Sequence, residues 1–418
     1  MKLRRFVVVF FLVCTAVCFG QSTTSVQGRI TDPTGAVIPN AHVVITLANT
    51  GATRDVVTNA DGNYQFQQLM PGTYTLKVNA DGFTPAVREN LALEVASPAT
   101  LDIALTIAAA QQNVEVVSTQ APLLNTVDAT LGNTFNSRQV STLPIEGRNV
   151  VELLSLQPGV TFLGKDVGND DGDSRAGAVN GSRSDQSNVT LDGVDVNDQN
   201  KGYAFDSVLR MTQDSVAEFR VTTSNPVSDA GRGAGAQVAL VTKSGTNLVH
   251  GSAYEYNRNV AFVANDYFNK QTQLATGVPN QPDKYIRNVF GGSVGGPFLK
   301  DKLFYFLNYE GERRIESSFP ERTVPTDLMR QGTLQYRTAD GGTYALTPDK
   351  IRGMDPLHIG DNTAMLTLLQ SYPEPNDFST GDGLNTAGYR FSQPVRSSFN
   401  TYIARLDWNL ARDRKSTV

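Results

Sequence analysis

The chain has 418 residues, of which 40% are hydrophobic and 18% charged, and a formal charge of −5. This length is enough for about two to four domains. No cluster of Lys and Arg interrupts the acidic balance, which argues against nucleic-acid binding. Beyond the N-terminal run, no apolar stretch approaches the roughly twenty residues of a spanning helix, so any membrane segment must be a strand.

The start of the chain has the pattern of a secretory signal peptide. Met1–Arg5 is basic and Phe6–Phe19 is almost continuously apolar, so we expect cleavage near Gly20. The two cysteines, Cys14 and Cys18, lie in the apolar run. The mature chain is therefore predicted to have no disulfide, thiolate metal site or cysteine nucleophile.

Residues 21–108 predict a compact β-sandwich, because apolar residues alternate along several short segments separated by turn signals. The alternating sets are Ala41, Val43, Ile45 and Leu47, then Tyr74, Leu76, Val78 and Ala80, then Leu101, Ile103, Leu105 and Ile107. About seven short strands with one apolar face each predict two packed sheets.

Three runs in this region carry a resemblance: VQGRITDPTGAVIPNAHVVI, TNADGNYQFQQLMPGTYTLKV and ADGF. They resemble the carboxypeptidase regulatory-like domain. The resemblance implies a prealbumin-like or carbohydrate-binding-like sandwich and no peptidase activity. A zinc peptidase site needs clustered His and Glu ligands, whereas His42 stands alone in this region and is expected on the surface.

Residues 119–245 carry both helix and strand signals. Ser137–Thr142 and Asn149–Leu156 have helical spacing, and Pro158-Gly159 stops the second helix. Short strands are predicted at Asn188–Leu191, Glu218–Thr222 and Gln237–Thr242. The Asp192-Gly193 pair offers a tight turn after the first of them.

Two groups of acidic residues in this domain are candidate ligands. Asn169, Asp170, Asp171 and Asp173 lie in the Gly/Asp-rich segment Gly164–Arg183. Their spacing departs from the EF-hand loop and no Glu closes the set, so a solvated loop is favoured over a calcium site. Asp192, Asp195 and Asp198 are interpreted as turn residues first and as ligands second.

After residue 246 the strands are longer and have two different faces. Leu303, Tyr305, Leu307 and Tyr309 alternate with Phe304, Phe306, Asn308 and Glu310, and Tyr402, Ala404, Leu406, Trp408 and Leu410 alternate with Ile403, Arg405, Asp407 and Asn409. An apolar outside and a polar inside over roughly ten residues is typical of a transmembrane β-strand, although a half-buried soluble strand alternates too. Four such strands in series favour a barrel: His250–Asn257, Arg287–Gly296, Lys302–Glu310 and Thr401–Leu410.

Two further segments of this region need an interpretation. Gly291–Gly295 matches the G-x-S-x-G nucleophile motif around Ser293, but no helix signal follows Gly296-Pro297, so a Gly-rich strand is favoured over a hydrolase. Glu312–Asn400 is polar and contains seven prolines. We expect a long connection there, either functional or disordered.

Several motifs occur in a fixed order along the chain: LPIEGRN with LLSLQPGV, LDGVDVND, EFRVTTSNPVSDAGRGAGAQVALVTKSGTN, HGSAYEYNRN and NVFGGSVGGPFLKDKLFYFLNYEGE. Together they resemble TonB-dependent outer-membrane receptors of the Oar-like branch, over nearly the whole chain. The resemblance implies that 119–245 is a plug domain and that 246–418 begins a barrel. It also implies that plug loops, here with Asp192, Asp195 and Asp198, can face incoming substrate.

The resemblance gives the linker at 109–118 a candidate role. Val114, Glu115, Val116, Val117 and Ser118 stand between the sandwich and the plug. A TonB box at this place would be an extended segment that adds as a strand to an inner-membrane-anchored energy-coupling protein. The residues fit an eighth sandwich strand or an ordinary tether equally well.

We therefore expect a mostly β protein with an N-terminal β-sandwich, a small α+β plug and the first strands of an incomplete transmembrane β-barrel. The expected boundaries are 1–20 for the signal peptide, 21–108, 109–118, 119–245 and 246–418. Outer-membrane barrels have roughly eight strands or more, and transporters of this class about twenty-two. We expect the N-terminal portion of a longer receptor for that reason.

The expected function is energy-coupled uptake or handling of a substrate at the outer membrane, with the sandwich in the periplasm. Membrane lipid, a TonB-type protein and an extracellular substrate are the expected partners, and no catalytic residue, metal or cofactor is implied. Siderophore, vitamin, oligosaccharide and peptide substrates all remain open. The alternative is a secreted or periplasmic binding module that uses the sandwich, in which Tyr402, Leu406 and Trp408 would pack into a soluble core.

Overall fold

The structure is a computed structural model. It describes residues 22–108, 115–118, 125–143, 145, 148–161, 178–197, 209, 211–226, 233–275, 277, 279–411 and 414–417. The predicted signal peptide, Val114, Asp198 and most of the acidic segment before residue 183 lie outside these residues. The chain forms two compact units, one of Met1–Tyr254, Phe290–Gly311 and Asn400–Val418, the other of Glu255–Val289 and Glu312–Phe399.

The N-terminal part of the first unit is a two-sheet sandwich, as predicted. Its strands are β1 (Thr24–Thr31), β2 (His42–Leu47), β3 (Thr53–Val57), β4 (Asn63–Leu69), β5 (Gly72–Asn79), β6 (Ala86–Leu93), β7 (Ala99–Thr100), β8 (Ile103–Ala104) and β9 (Glu115–Ser118). One sheet has the order β4-β1-β7, with β8 also pairing with β1, and the other has the order β3-β2-β5-β6-β9.

The sandwich core is built from the alternating residues that the sequence marks. Val43, Ile45, Leu76 and Val78 are buried between the sheets. Ile107, expected on the same apolar face as Ile103, is instead 69% exposed. Strand β8 ends at Ala104, and Leu105 beyond it is still buried in the core, so the inward alternation stops between Leu105 and Ile107.

The sandwich is followed by a domain that we call the central domain. Its elements are β10 (Leu131–Asn136), α1 (Ser137–Thr142), a 3₁₀ helix at Val150–Leu156, β11 (Val160–Thr161), β12 (Ala178–Val179), a 3₁₀ helix at Ser184–Gln186, β13 (Asn188–Leu191), β14 (Val194–Asp195), a 3₁₀ helix at Gln213–Ser215, β15 (Val216–Ser224) and β16 (Gln237–Thr242). The main sheet has the order β10-β15-β16-β13-β14.

Local signals in the sequence set the ends of these elements. The Asn136 side chain and the Gln139 side chain form a reciprocal capping box at the start of α1, which satisfies backbone donors that a helix leaves open. Asp192 and Gly193 have φ of 48° and 86°. Both residues have a backbone in the left-handed region, as the type I′ turn of a two-residue hairpin requires. The predicted turn between β13 and β14 is confirmed.

The remaining strands are β17 (His250–Asn259), β18 (Tyr285–Leu299), β19 (Leu303–Ser318), β20 (Glu321–Pro325), β21 (Leu334–Arg337), β22 (Thr343–Leu346), β23 (Thr386–Arg390), β24 (Gln393–Ala411) and β25 (Arg414–Thr417). Five of them form a sheet with the order β17-β18-β19-β24-β25. The four predicted strands are confirmed, and each is longer than predicted, although β19 begins one residue later than predicted, at Leu303.

The second unit contains several helices and strand pairs that the sequence did not predict. They are a 3₁₀ helix at Val260–Phe262, α2 (Tyr267–Ala275), α3 (Asp327–Arg330), α4 (Pro348–Gly353) and α5 (Thr363–Ser371), with the pairs β20–β23 and β21–β22. The segment from Glu312 to Asn400, expected as a long connection that is either functional or disordered, contains helices and paired strands, so the disordered alternative is wrong. Thr347 and Asn362 cap α4 and α5 with their side chains, so local helix-start signals were present in the sequence.

Candidate functional site

Strands β19 and β24 bury one face and expose the other, as their alternation predicts. On β19, Phe304 and Glu310 are buried while Leu307 is 48% exposed. On β24, Arg405 and Asp407 are buried while Trp408 is 46% exposed. The face that packs against the rest of the first unit is therefore partly charged, and the exposed face is apolar.

One charged group, which we call the Arg148 cluster, joins the central domain to β19. The Arg148 guanidinium lies 3.1 Å from the Asp214 carboxylate and 3.0 Å from that of Glu310. Tyr254 donates a hydrogen bond to the same Glu310 oxygen, and the guanidinium carbon lies 5.1 Å from the centre of the Tyr254 ring. These contacts pair a cation with two carboxylates and an aromatic face.

A second group, the Arg405 cluster, joins β24 to the central domain. Arg405 lies 3.0 Å from Asp407 and 3.4 Å from Asp192, and it donates a 2.8 Å hydrogen bond to the Thr242 carbonyl. The Ser244 hydroxyl donates a hydrogen bond to the carboxylate of Asp407. Arg405 and Asp407 are buried and pair with each other, and Asp192, which is half-buried, is a second anion for Arg405.

The two clusters hold the central domain against the buried face of the strands. Removing one member of a buried ion pair costs roughly 3–5 kcal/mol, because the other charge stays out of water. Sequence reasoning missed Arg148, which lies 162 residues from Glu310 along the chain. The one available signal was the presence of charged residues on the face of β19 and β24 opposite the apolar one.

The predicted substrate-facing acids have different surroundings. Asp192 accepts hydrogen bonds from the backbone N–H and the hydroxyl of Thr242, besides its ion pair with Arg405. Asp195 is exposed and accepts bonds from Asn197. Asp198 lies outside the described residues. Among the described residues, no group of three His, Cys, Asp or Glu side chains could hold a metal ion.

Ser293 lies inside strand β18 and is hydrogen-bonded to Ser252 of β17. A nucleophile elbow requires a sharp turn from a strand into a helix, and β18 continues as a strand to Leu299. The geometry at Ser293 is therefore that of a strand residue, as the sequence favoured.

A separate contact joins the sandwich to the central domain. The Val95 N–H donates a 3.1 Å hydrogen bond to Glu218 of β15, and Arg220 lies 3.7 Å from Glu94. Burial raises the pKa of Glu218 to about 7, and Glu94 adds to the rise, whereas the Val95 N–H and Arg220 oppose it. A cleft of about 620 Å³ adjoins this contact and is lined by Val95, Asp128, Arg220 and Gln237 among others.

The described part of the candidate TonB box forms strand β9. It pairs in parallel with β6, in a register that places Ala86 opposite Glu115 and Glu89 opposite Ser118. The strand stands at the end of its sheet, after β6. Glu115–Ser118 therefore form a further strand of the sandwich, which is the alternative that the sequence left open, and among the described strands they occupy an edge of their sheet.

Comparison with known proteins identifies two kinds of domain in the chain. Residues 25–106 match the carboxypeptidase regulatory-like domain, and residues 241–417 match the outer membrane beta barrel domain. The protein thus combines a regulatory-like sandwich with strands of an outer-membrane barrel, and these matches place it at the outer membrane. Among the described residues, no helix has the length and apolar character needed to cross a membrane.

The chain is also homologous to a curated protein, the TonB-dependent transporter Oar of Myxococcus xanthus. The two are 27% identical over 316 residues, which is 72% of this chain and 28% of the relative. The chain therefore spans less than a third of the length of that transporter.

Solved structures overlap the chain only loosely. The outer membrane transporter YddB of Escherichia coli is 11% identical, with a TM-score of 0.38 over 67% of this chain and 31% of its own. The catechol 1,2 dioxygenase of Acinetobacter radioresistens is 14% identical, with a TM-score of 0.19 over 24% of this chain and 57% of its own. Neither overlap is close enough to bear on function.

Proposed function

We propose that the protein acts as a TonB-dependent transporter of the outer membrane, in which the central domain, at 119–245, is the plug. The strands after residue 246 belong to the barrel around it, and the sandwich at 21–108 lies in the periplasm. The observation that carries the proposal is the pair of buried ion clusters. They attach a globular domain to the polar face of strands whose other face is apolar and exposed.

The clusters also give a reason for energy coupling. To open a path, the central domain must move against β19 and β24, which separates Arg148 from Glu310 and Arg405 from Asp192. Glu310 is buried, so the loss of Arg148 would leave its charge out of water and cost several kcal/mol. Arg148 would keep Asp214 and Arg405 would keep Asp407, so the cost falls mainly on the buried anion of β19, and an external pull on the chain would supply it.

The pull would enter through the candidate box at 114–118. A strand of an inner-membrane-anchored, TonB-type protein pairs with this segment, and the chain carries the force from there to β10 and the central sheet. Strand addition needs backbone donors and acceptors rather than particular side chains. Siderophores, vitamins, oligosaccharides and peptides are the substrate classes that this mechanism accommodates.

Asp195 is exposed whereas Asp192 is half-buried, so exposure makes Asp195 the better candidate for a substrate contact. The rival function, a soluble binding module, requires Tyr402, Leu406 and Trp408 to pack into a core. Their exposures are 75%, 44% and 46%, which disfavours that function.

The test is retention of the full chain, in detergent, on the immobilised periplasmic domain of the TonB-type protein from the same cells. The chain with Val116→Pro and Val117→Pro loses a backbone donor on each edge of the strand, and we expect retention to be lost. Val116→Thr with Val117→Thr keeps those donors and is the matched control. Equal retention of all three chains, or retention of none, refutes the proposal.

A further inference from the structure

The sheet that ends in β9 has two edges, and they differ in how they meet solvent. The opposite edge, β3, has the sequence TRDVV, with two charges at its centre, and Arg54 donates from it to the carbonyls of Gln67 and Gln68. Charges on an edge strand discourage pairing with another chain. Strand β9 has the sequence EVVS, with two uncharged β-branched residues at its centre. Of the two edges, β9 is the one suited to receive a further strand.

Among the strands that the structure describes, β9 pairs only with β6, which leaves half of its backbone groups for a further strand. In a strand, the N–H and C=O groups of successive residues point to opposite edges, so two of the four residues from Glu115 to Ser118 bond towards β6 and two point away. The sheet order ends at β9. The outward pair is the template that strand addition uses.

From this arrangement we infer that the energy-coupling protein adds its strand to the outer edge of β9 while β9 stays paired with β6, so that the sandwich sheet continues into the partner. The inference rests on the proposed function and deepens it. The sandwich becomes the scaffold that presents the box, because it holds four residues extended before the partner arrives. A segment that is already ordered loses less conformational entropy on binding.

The pairing of β9 with β6 also determines how a pull by the energy-coupling protein is distributed in the chain. Pairing β9 with β6 ties the box to a strand that is itself paired along its length with β5, from Gly72–Leu93 to Val78–Ala86. A pull on the partner strand is therefore shared between the sandwich and the chain that leads to the central domain. The competing arrangement is release of β9 from β6 before the partner binds.

A disulfide that locks β9 to β6 separates the two arrangements. Val87 and Val116 are registered partners on neighbouring strands, and strands spaced about 4.8 Å apart allow a disulfide between such positions. The variant is the full chain with Val87→Cys and Val116→Cys and with Cys14 and Cys18 replaced by alanine. Thr46→Cys with Thr53→Cys, a registered pair between β2 and β3, is the matched control.

The probe is the purified periplasmic domain of the TonB-type protein, titrated against the oxidised and the reduced forms. We expect the locked chain to bind within about threefold of its reduced form or more tightly, since no strand has to leave. Binding weakened about tenfold or more by oxidation, and restored by reduction, overturns the inference and supports release. Absence of binding to the reduced form and to the control overturns the proposed function instead.

A second measurement needs no partner. Amide hydrogen exchange on the full chain should show two of the four β9 amides protected and the other two exchanging rapidly. Single proline substitutions at the two unprotected positions are expected to abolish binding while leaving the protected pair unchanged. Exchange of all four amides at the rate of an unstructured peptide overturns the inference.

Discussion

Glu218 gives the contact between the sandwich and the central domain a dependence on pH. Its carboxyl accepts the Val95 N–H, and its pKa is raised from 4.5 to about 7. Because the folded protein holds this proton more tightly than the unfolded chain, stability falls as the pH rises through that window. At about 1.4 kcal/mol per pKa unit, the loss is at most about 3 kcal/mol.

The substitution Glu218→Gln removes the charge and keeps an oxygen that can accept from Val95. We expect the variant to match the wild type near pH 4.5 and to exceed it by up to about 3 kcal/mol at pH 8. The assay is urea unfolding of the full chain in detergent across that range. Glu89→Gln, at an exposed position of β6, is the control. Parallel loss of stability in the wild type and in Glu218→Gln would refute the reasoning.

Three further results are expected. Arg405→Ala should lower the free energy of unfolding by about 3–5 kcal/mol, whereas Arg396→Ala, exposed on the same strand, should change it by less than about 0.5 kcal/mol. Trp408 is the sole tryptophan, so brominated lipid should quench the fluorescence of the reconstituted chain, and quenching by aqueous iodide alone would contradict a lipid-facing strand. Gly28→Ala would put its Cβ 1.9 Å from a carbonyl oxygen and should destabilise the sandwich by about 1–3 kcal/mol in a thermal melt, with Gly353→Ala, in open space, near neutral.

The sequence predicted the strands and their faces because alternation is a local property. The burial of Phe304, Phe306, Asn308 and Glu310, opposite exposed Leu307, follows from a period of two along one strand. The helix at Ser137–Thr142 and the turn at Asp192 were equally local. Their signals lie within a few residues of the structure that they set.

The partners of the charged residues could not be predicted in this way. Arg405 contacts Thr242, 163 residues away, and Asp192, 213 residues away. Nothing near any of these residues indicates which charge it will meet. The pairing of β20 with β23 was missed for the same reason, since it joins Glu321 to Arg390 across an intervening segment of helices and a hairpin.

The ion clusters have opposite polarity, and this has a consequence for how the central domain is oriented. Among the partners that face each other across the interface, the central domain supplies the cation Arg148 and β19 the anion Glu310, whereas β24 supplies the cation Arg405 and the central domain the anion Asp192. Each cation also has an anion on its own side, Asp214 beside Arg148 and Asp407 beside Arg405. A central domain rotated so that the two clusters exchanged partners would place Arg148 against Arg405 and Asp192 against Glu310. Both new contacts would be repulsive. The charges therefore favour one orientation of the central domain against the strands. A charge reversal at one position would require a matching reversal at the residue that faces it across the interface.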